Sequence, residues 1–340
     1  MSKRRISKQQ KFRIQKIQDI RLARAQKSLD RSDGISAATD LGPEQTGLLI
    51  THHGKYVDVE GDDGKYNRCN IRQHLGALIA GDQVIWRSGK KNSGIVVALC
   101  DRQSLLWRPD ERGEKKPIAA NIDQIIVVIA PQPKPTLMLI DSYFVAAATV
   151  NINAILLLNK IDLISENDKA GLQNLLTIYG NIGYQAILAT NKSNAGLHQL
   201  KSILKNRRSI FVGQSGVGKS TLIQHLMPAS HIAIGELSLQ GGHGTHTTSR
   251  SQLYHLPSGG DIIDSPGIRE FGLWHMKADA VAQGFIEFRE YLGQCKFNDC
   301  LHLNEPDCAI LAAVATGKIS KERYDSYLAI TKSLEKNKLF

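Results

Sequence analysis

In "SIFVGQSGVGKSTLIQHL", Gly213 is followed by four residues and then by Gly218, Lys219 and Ser220, a spacing that can cradle a polyphosphate. An apolar strand pattern runs in and a helix pattern runs out, so backbone N–H groups from Gly213 through Gln214, Ser215, Gly216, Val217 and Gly218 can face phosphate oxygens at a helix N-terminus. Lys219 can reach the β and γ oxygens and counts as catalytic, Ser220 can ligate Mg²⁺, and Thr221 completes the set. Further on, "GDIIDSPG" ends another strand pattern in Asp264, with Gly267 three residues later. An acid at the tip of a neighbouring strand can hold Mg²⁺ through water, and the glycine N–H can sense the γ-phosphate.

Between these lies "LQGGHGTHTTSRSQLYHL", without apolar periodicity, which reads as a loop that orders around the nucleotide. Thr247 or Thr248 can supply a second hydroxyl to Mg²⁺, and the spacing does not choose between them. Ile268 stands where many GTPases carry a water-orienting Gln, so intrinsic turnover is expected to be slow. His246 is the candidate to position water, with His243 its competitor.

The base is read by "ILLLNKIDLI". A carboxylate at Asp162 can accept from both N1–H and the exocyclic amine of guanine, a pattern adenine lacks, while Asn159 and Lys160 fix the loop. This stretch precedes the phosphate loop, the reverse of the usual order. Either one motif is accidental or the chain is permuted. If the ordinary order is cut after the Asp264 strand and the old ends are joined near Asn206, the sheet can keep its neighbours while the termini move. The domain C-terminal to "DSPGIREFGLW" is then tied to the γ-phosphate loop, which can act on it as a lever.

That domain contains "CKFNDCLHLNEPDC", in which Cys295, Cys300, His302 and Cys308 offer three thiolates and an imidazole, enough for one closed, structural Zn²⁺ site. Cys69 and Cys100 read as ordinary buried thiols, since disulfides are not expected in a reducing compartment.

The scaffold for these groups is written in the wider pattern. Residues 46–105 alternate short apolar runs with Gly-Asp, Asp-Gly and Ser-Gly turns, as a five-stranded OB-type barrel would. From "DQIIVVIA" to about Trp274 strand and helix patterns alternate, which implies a mostly parallel α/β sheet. The fold expected is multidomain: a basic N-terminal extension over 1–40, an OB-fold RNA-binding barrel over 41–110, a circularly permuted α/β P-loop GTPase domain over 111–275, and a helical zinc-binding domain over 276–340.

Charge points to a polyanionic partner. The formal net charge is +11, and residues 1–31 alone hold eleven Lys or Arg against Asp19 and Asp30, an arm suited to RNA through counterion release. With 42% hydrophobic and 22% charged residues, no apolar run long enough to span a bilayer and no apolar leader, a cytoplasmic protein without membrane contact is expected.

Taken together, "NKID" ahead of "GQSGVGKST" and "DSPGIREFG", with the barrel and the Cys/His cluster, resembles the RsgA family of circularly permuted GTPases of small ribosomal subunit biogenesis, along nearly the whole chain. The resemblance implies a monomeric, ribosome-stimulated GTP phosphoanhydride hydrolase. It would contact the small (30S) subunit and its rRNA, use Mg²⁺ with GTP and one zinc, and time its own release by hydrolysis to GDP. It also implies the four zinc ligands and a histidine at His246. Two other readings stand beside it: an RNA-binding scaffold whose nucleotide is structural, and a GTPase of another pathway such as translation or signalling.

Overall fold

The computed structural model describes residues 41–72, 75–109, 114–193, 195–227, 251–265, 276 and 278–337. The chain divides into two compact units, one built on the barrel, the other holding the α/β sheet together with the C-terminal helices.

The barrel strands are β1 (Glu44–His52), β2 (Tyr56–Glu60), β3 (Tyr66–Ile71), β4 (Gln83–Ser88) and β5 (Ser93–Leu99). They pair in the order β1-β2-β3-β5-β4, and β4 returns to β1, which closes the sheet. Only β3–β5 is parallel. This is the five-stranded barrel expected from the turn spacing. Alternation along β2, with Val57 and Val59 buried between half-buried neighbours, puts one face into a core shared with Leu49, Cys69, Val84, Trp86 and Val96. Gly47 is needed here, because a Cβ on it would lie 2.6 Å from the Trp86 indole nitrogen. Burial pushes the Cys69 thiol up to about 12, so it is an inert core residue, as expected; Cys100 is only half-buried.

Strands β6 (Leu105–Pro109) and β7 (Lys115–Ala120) come next. The second unit then lays out β8 (Gln124–Ile129), α1 (Leu137–Thr149), β9 (Asn153–Leu158), α2 (Glu166–Asn181), β10 (Gln185–Leu188), α3 (Leu197–Leu204), β11 (Arg208–Val212) and α4 (Lys219–Leu226). After β12 (Gln252–His255) come β13 (Asp261–Asp264), α5 (Ala278–Gly284), α6 (Ala309–Ala315) and α7 (Lys321–Asn337). All six residues of β8 are buried, as are five of six in β9, which is why both read as unbroken apolar runs.

The strands β10-β9-β8-β11-β13 lie side by side and every pairing among them is parallel. Chain order runs outward from β8 to β10 in one direction and from β11 to β13 in the other. The reversal between β8 and β11 opens a crevice at the carboxyl ends of the strands, the place where such sheets bind ligands. The loops after β9, β10 and β11 and the carboxyl end of β13 therefore lie at one edge, whichever of them the chain reaches first.

Candidate functional site: a phosphate loop clasped to a base-reading loop

The phosphate loop leaves β11 through glycines in the left-handed region: Gly213 at φ 137°, Gly216 at φ 83° and Gly218 at φ 92°. At Gly213 a Cβ would sit 2.2 Å from the Val128 carbonyl oxygen, and at Gly218 it would sit 2.5 Å from Asn159 Nδ2. Both positions exclude side chains on sterics as well as torsion. Gly218 caps α4, leaving Lys219 half-buried in its first turn and Ser220 and Thr221 exposed. The Lys219 ammonium donates to the carbonyls of Gly213 (2.8 Å) and Gln214 (2.6 Å), which holds the cation over the loop. Asp264 is half-buried at the carboxyl end of β13, beside the strand that launches the loop.

The base-reading loop leaves β9. Fully buried Asn159 donates from Nδ2 to the Val217 carbonyl at 2.9 Å, and Lys160 Nζ reaches the Gly216 carbonyl at 2.6 Å. Lys160 adopts φ 58°, a conformation costly for a lysine, which turns the chain so that both side chains reach the phosphate loop. The two loops, far apart in sequence, are stitched into one clasp. The acid of the Asn-Lys-x-Asp stretch, Asp162, is gripped from just past β10: Thr190 donates its hydroxyl to Oδ1 and Lys192 Nζ lies 2.9 Å from Oδ2. These hydrogen bonds, Thr190 first and Lys192 next, hold the Asp162 carboxyl below the usual carboxylate range. The structure thus brings Asn159, Lys160 and the phosphate loop together. It also adds Lys192, which the spacing did not single out, and a side-chain role for Thr190, whose stretch "QAILATN" reads in the sequence only as a place where a backbone N–H could meet guanine O6. His246, Thr247, Thr248 and Gly267, with His243 and Ile268, lie outside the described residues.

A second cluster sits before α6. The donor atoms of Cys295, Cys300, His302 and Cys308 all lie within 4.8 Å of one another. Cys295 Sγ and Cys308 Sγ are 3.8 Å apart, and each is 3.5 Å from His302 Nδ1. A tetrahedral site with Zn–S bonds of about 2.3 Å has sulfur–sulfur edges of about 3.8 Å, so these donors fit. Burial lowers the His302 pKa despite Glu305 and Asp279, favouring the neutral imidazole a metal requires. The loop is framed by hydrogen bonds: Tyr324 on α7 donates to the carbonyls of His302 (2.9 Å) and Leu303 (2.8 Å), and Tyr327 donates to Leu301 (2.7 Å). Glu305 accepts N–H groups from Leu301 and Leu303. The donor set could hold zinc.

α7 is anchored in turn. Fully buried Arg323 donates through Nη1 to Asp141 on α1 and through Nε to Glu287 at 2.6 Å, while its guanidinium lies 4.5 Å over the Phe285 ring. Tyr179 of α2 also donates to Asp141, at 2.5 Å. Burial alone would lower the Arg323 pKa; Asp141 and Glu287 overcome it and raise it, so the guanidinium stays charged.

A parallel sheet whose phosphate loop follows its base-reading loop, the two clasped at a topological switch point, defines a circularly permuted P-loop GTPase. The chain belongs to the RsgA family: the family model for the RsgA GTPase matches residues 99–274. A relative from Pseudomonas aeruginosa (strain LESB58), named small ribosomal subunit biogenesis GTPase RsgA, is 48% identical over 334 residues, covering 98% of each chain. One of the same name from Azotobacter vinelandii is 48% identical over 338 residues, again 98% of each. Among solved structures, YjeQ from Thermotoga maritima aligns with a TM-score of 0.71 at 28% identity, over 86% of this chain and 99% of its own. YloQ, described as a circularly permuted GTPase, aligns at 0.70 and 26% identity, over 88% of this chain and 98% of its own.

Proposed function

We propose that the chain hydrolyses GTP to GDP and phosphate as a biogenesis factor of the small (30S) ribosomal subunit. The clasp of Asn159 and Lys160 onto the phosphate loop carries the reading, because it joins the loop that bears Asp162 to the glycine loop that would cradle the phosphates. The name shared by relatives at 48% identity supports the pathway.

In this reading Asp162, held ionised by Thr190 and Lys192, accepts from guanine N1–H and the exocyclic amine. Backbone N–H groups from Gly213 to Gly218 bind the phosphates. Lys219 offsets charge on the β and γ oxygens, and the Gly267 N–H senses the γ-phosphate. Ser220, one of Thr247 and Thr248, and Asp264 through water hold the Mg²⁺, which supplies electrostatic stabilisation of the transferring phosphoryl group when bound. His246 positions the attacking water. Cys295, Cys300, His302 and Cys308 hold one structural zinc. The basic arm, the barrel and the zinc module contact rRNA, hydrolysis weakens that contact, and the factor acts as a cytoplasmic monomer. No helix among the described residues is long and apolar enough to cross a membrane.

GTP turnover with and without purified small subunits, at two salt concentrations, tests the whole. Stimulation that weakens with salt is expected, and none at either concentration would overturn the assignment.

The base reading has its own test. Asp162→Asn replaces an acceptor pair with an amide that opposes guanine N–H donors. GTP affinity should fall roughly 10²-fold, about 3 kcal/mol. Xanthosine triphosphate, which presents a carbonyl where guanine has its amine, should bind the variant better than wild type. An unchanged preference for GTP would remove Asp162 from this role.

Native mass spectrometry should count one zinc per chain. Because metal binding to such a site is also folding free energy, chelation should lower the unfolding temperature and cost helical signal from α6 and α7. A Cys308→Ser variant retaining zinc as tightly as wild type would exclude the cluster.

A further inference from the structure

Helix α1 has two neighbours that matter. Its Leu139, Ile140 and Tyr143 line a small cleft whose other wall is Val127–Ile129 with Gly213 and Gln214 of the phosphate loop. The turn that leads into it brings Pro133 to 3.8 Å from where a Gly216 Cβ would stand. Its other side carries the C-terminal module. A Cβ on Gly284 of α5 would lie 2.4 Å from Val145 Cγ1, so those backbones pack as closely as glycine allows, and Asp141 pairs with Arg323 of α7. Arg323 sits beside Tyr324, and with Tyr327 that residue holds the carbonyls of the metal-binding loop. One helix therefore lines the back of the phosphate loop on one side and is latched to the metal module on the other.

We infer that α1, latched by Arg323 to Asp141, couples the two sites, so that nucleotide in the phosphate loop and zinc in the Cys/His cluster strengthen each other's binding. The inference rests on the GTP and zinc assignments above. It treats the buried Arg323–Asp141 pair as a latch with a closed and an open state. With the latch closed, α1 holds the phosphate loop's back wall and α7 holds the metal loop. With it open, Asp141 and Arg323 must find other partners or water, and both supports slacken together. A half-open state is disfavoured, because both groups are buried, an unpaired guanidinium is costly there, and Asp141, whose pKa burial already raises, would have to take up a proton. Arg323 and Asp141 are positioning residues and touch neither ligand.

Linkage makes the effect reciprocal. In the zinc-loaded full-length protein, saturating GDP should slow zinc transfer to a chromophoric chelator by at least about fivefold, within the usual range of allosteric coupling. Stripping the zinc should weaken equilibrium binding of a fluorescent GDP analogue by the factor with which GDP raises the equilibrium affinity for zinc. Arg323→Lys keeps a buried cation but loses the planar fork that spans Asp141 and Glu287, and Asp141→Asn keeps the shape but loses the charge. In both variants GDP should still bind while the coupling factor falls toward one. Zinc release indifferent to GDP in the wild type, or coupling undiminished in both variants, would overturn the latch. Failure of the wild type to bind GDP at all would overturn the nucleotide assignment and the latch with it, whereas binding without coupling overturns the latch alone.

Discussion

Arg323→Met is expected to destabilise the GTPase unit by about 3 to 5 kcal/mol, the cost of removing one partner from a buried ion pair. The arithmetic of charge explains the size. Arg323 is one buried cation facing two carboxylates, Asp141 with no exposed side-chain surface and Glu287 with 9%. Methionine of similar volume would leave both acids facing each other, and at least one must take a proton or open the interface. Asp141→Asn should cost less, since Arg323 then keeps a single balanced partner in Glu287. Urea denaturation of the three proteins checks the order, and an Arg323→Met variant as stable as wild type would show that the acids find other compensation. Removing both charges, as Asp141→Asn with Arg323→Met, should recover part of the loss, because apolar replacement of a buried pair is often close to neutral.

The second large effect concerns chemistry. Lys219→Ala should lower kcat for GTP by about 10² to 10³-fold, the usual result of deleting one charge-stabilising donor from a preorganised site. The structure sharpens the expectation. Lys219 rests on the carbonyls of Gly213 and Gln214, so its ammonium is held over the loop and needs little reorganisation. The loop geometry should survive the substitution, since it is set by left-handed glycines and by Asn159 and Lys160 from the facing loop. GDP binding should accordingly fall far less than turnover. Equal losses in binding and turnover would mean that Lys219 builds the loop rather than acting on the phosphates.

What could be read in the sequence was what local spacing encodes. The phosphate loop, the Asn-Lys-x-Asp stretch, the acid ending β13 and the Cys/His run each need neighbours only a few residues away, so their chemistry is visible in one line. The barrel and the parallel sheet were legible for a similar reason, since alternation in β2 and unbroken apolarity in β8 report one and two buried faces directly. Contacts across long sequence separations were not visible. The grip of the Thr190 hydroxyl and of Lys192 on Asp162 is invisible until β10 pairs with β9 and delivers them. Asp141 is an acid inside the apolar "LMLIDSYFV", yet nothing local says that its partner is Arg323. The order of motifs suggested a module hung from the γ-phosphate loop like a lever. It gave no hint of a second attachment through α7.

That separation bears on how the protein is made. Asp141 and Arg323 are 182 residues apart, so the carboxylate of α1 is synthesised well before its guanidinium. At about 5 to 20 residues per second the delay is roughly 10 to 40 s. Through that interval β8, β9 and β11 can pair, yet the acid on α1 has no cation to bury against and keeps its helix wet. The nucleotide-binding unit thus carries its own mark of completion: the Asp141–Arg323 pair can form only after the C-terminal helix has been translated.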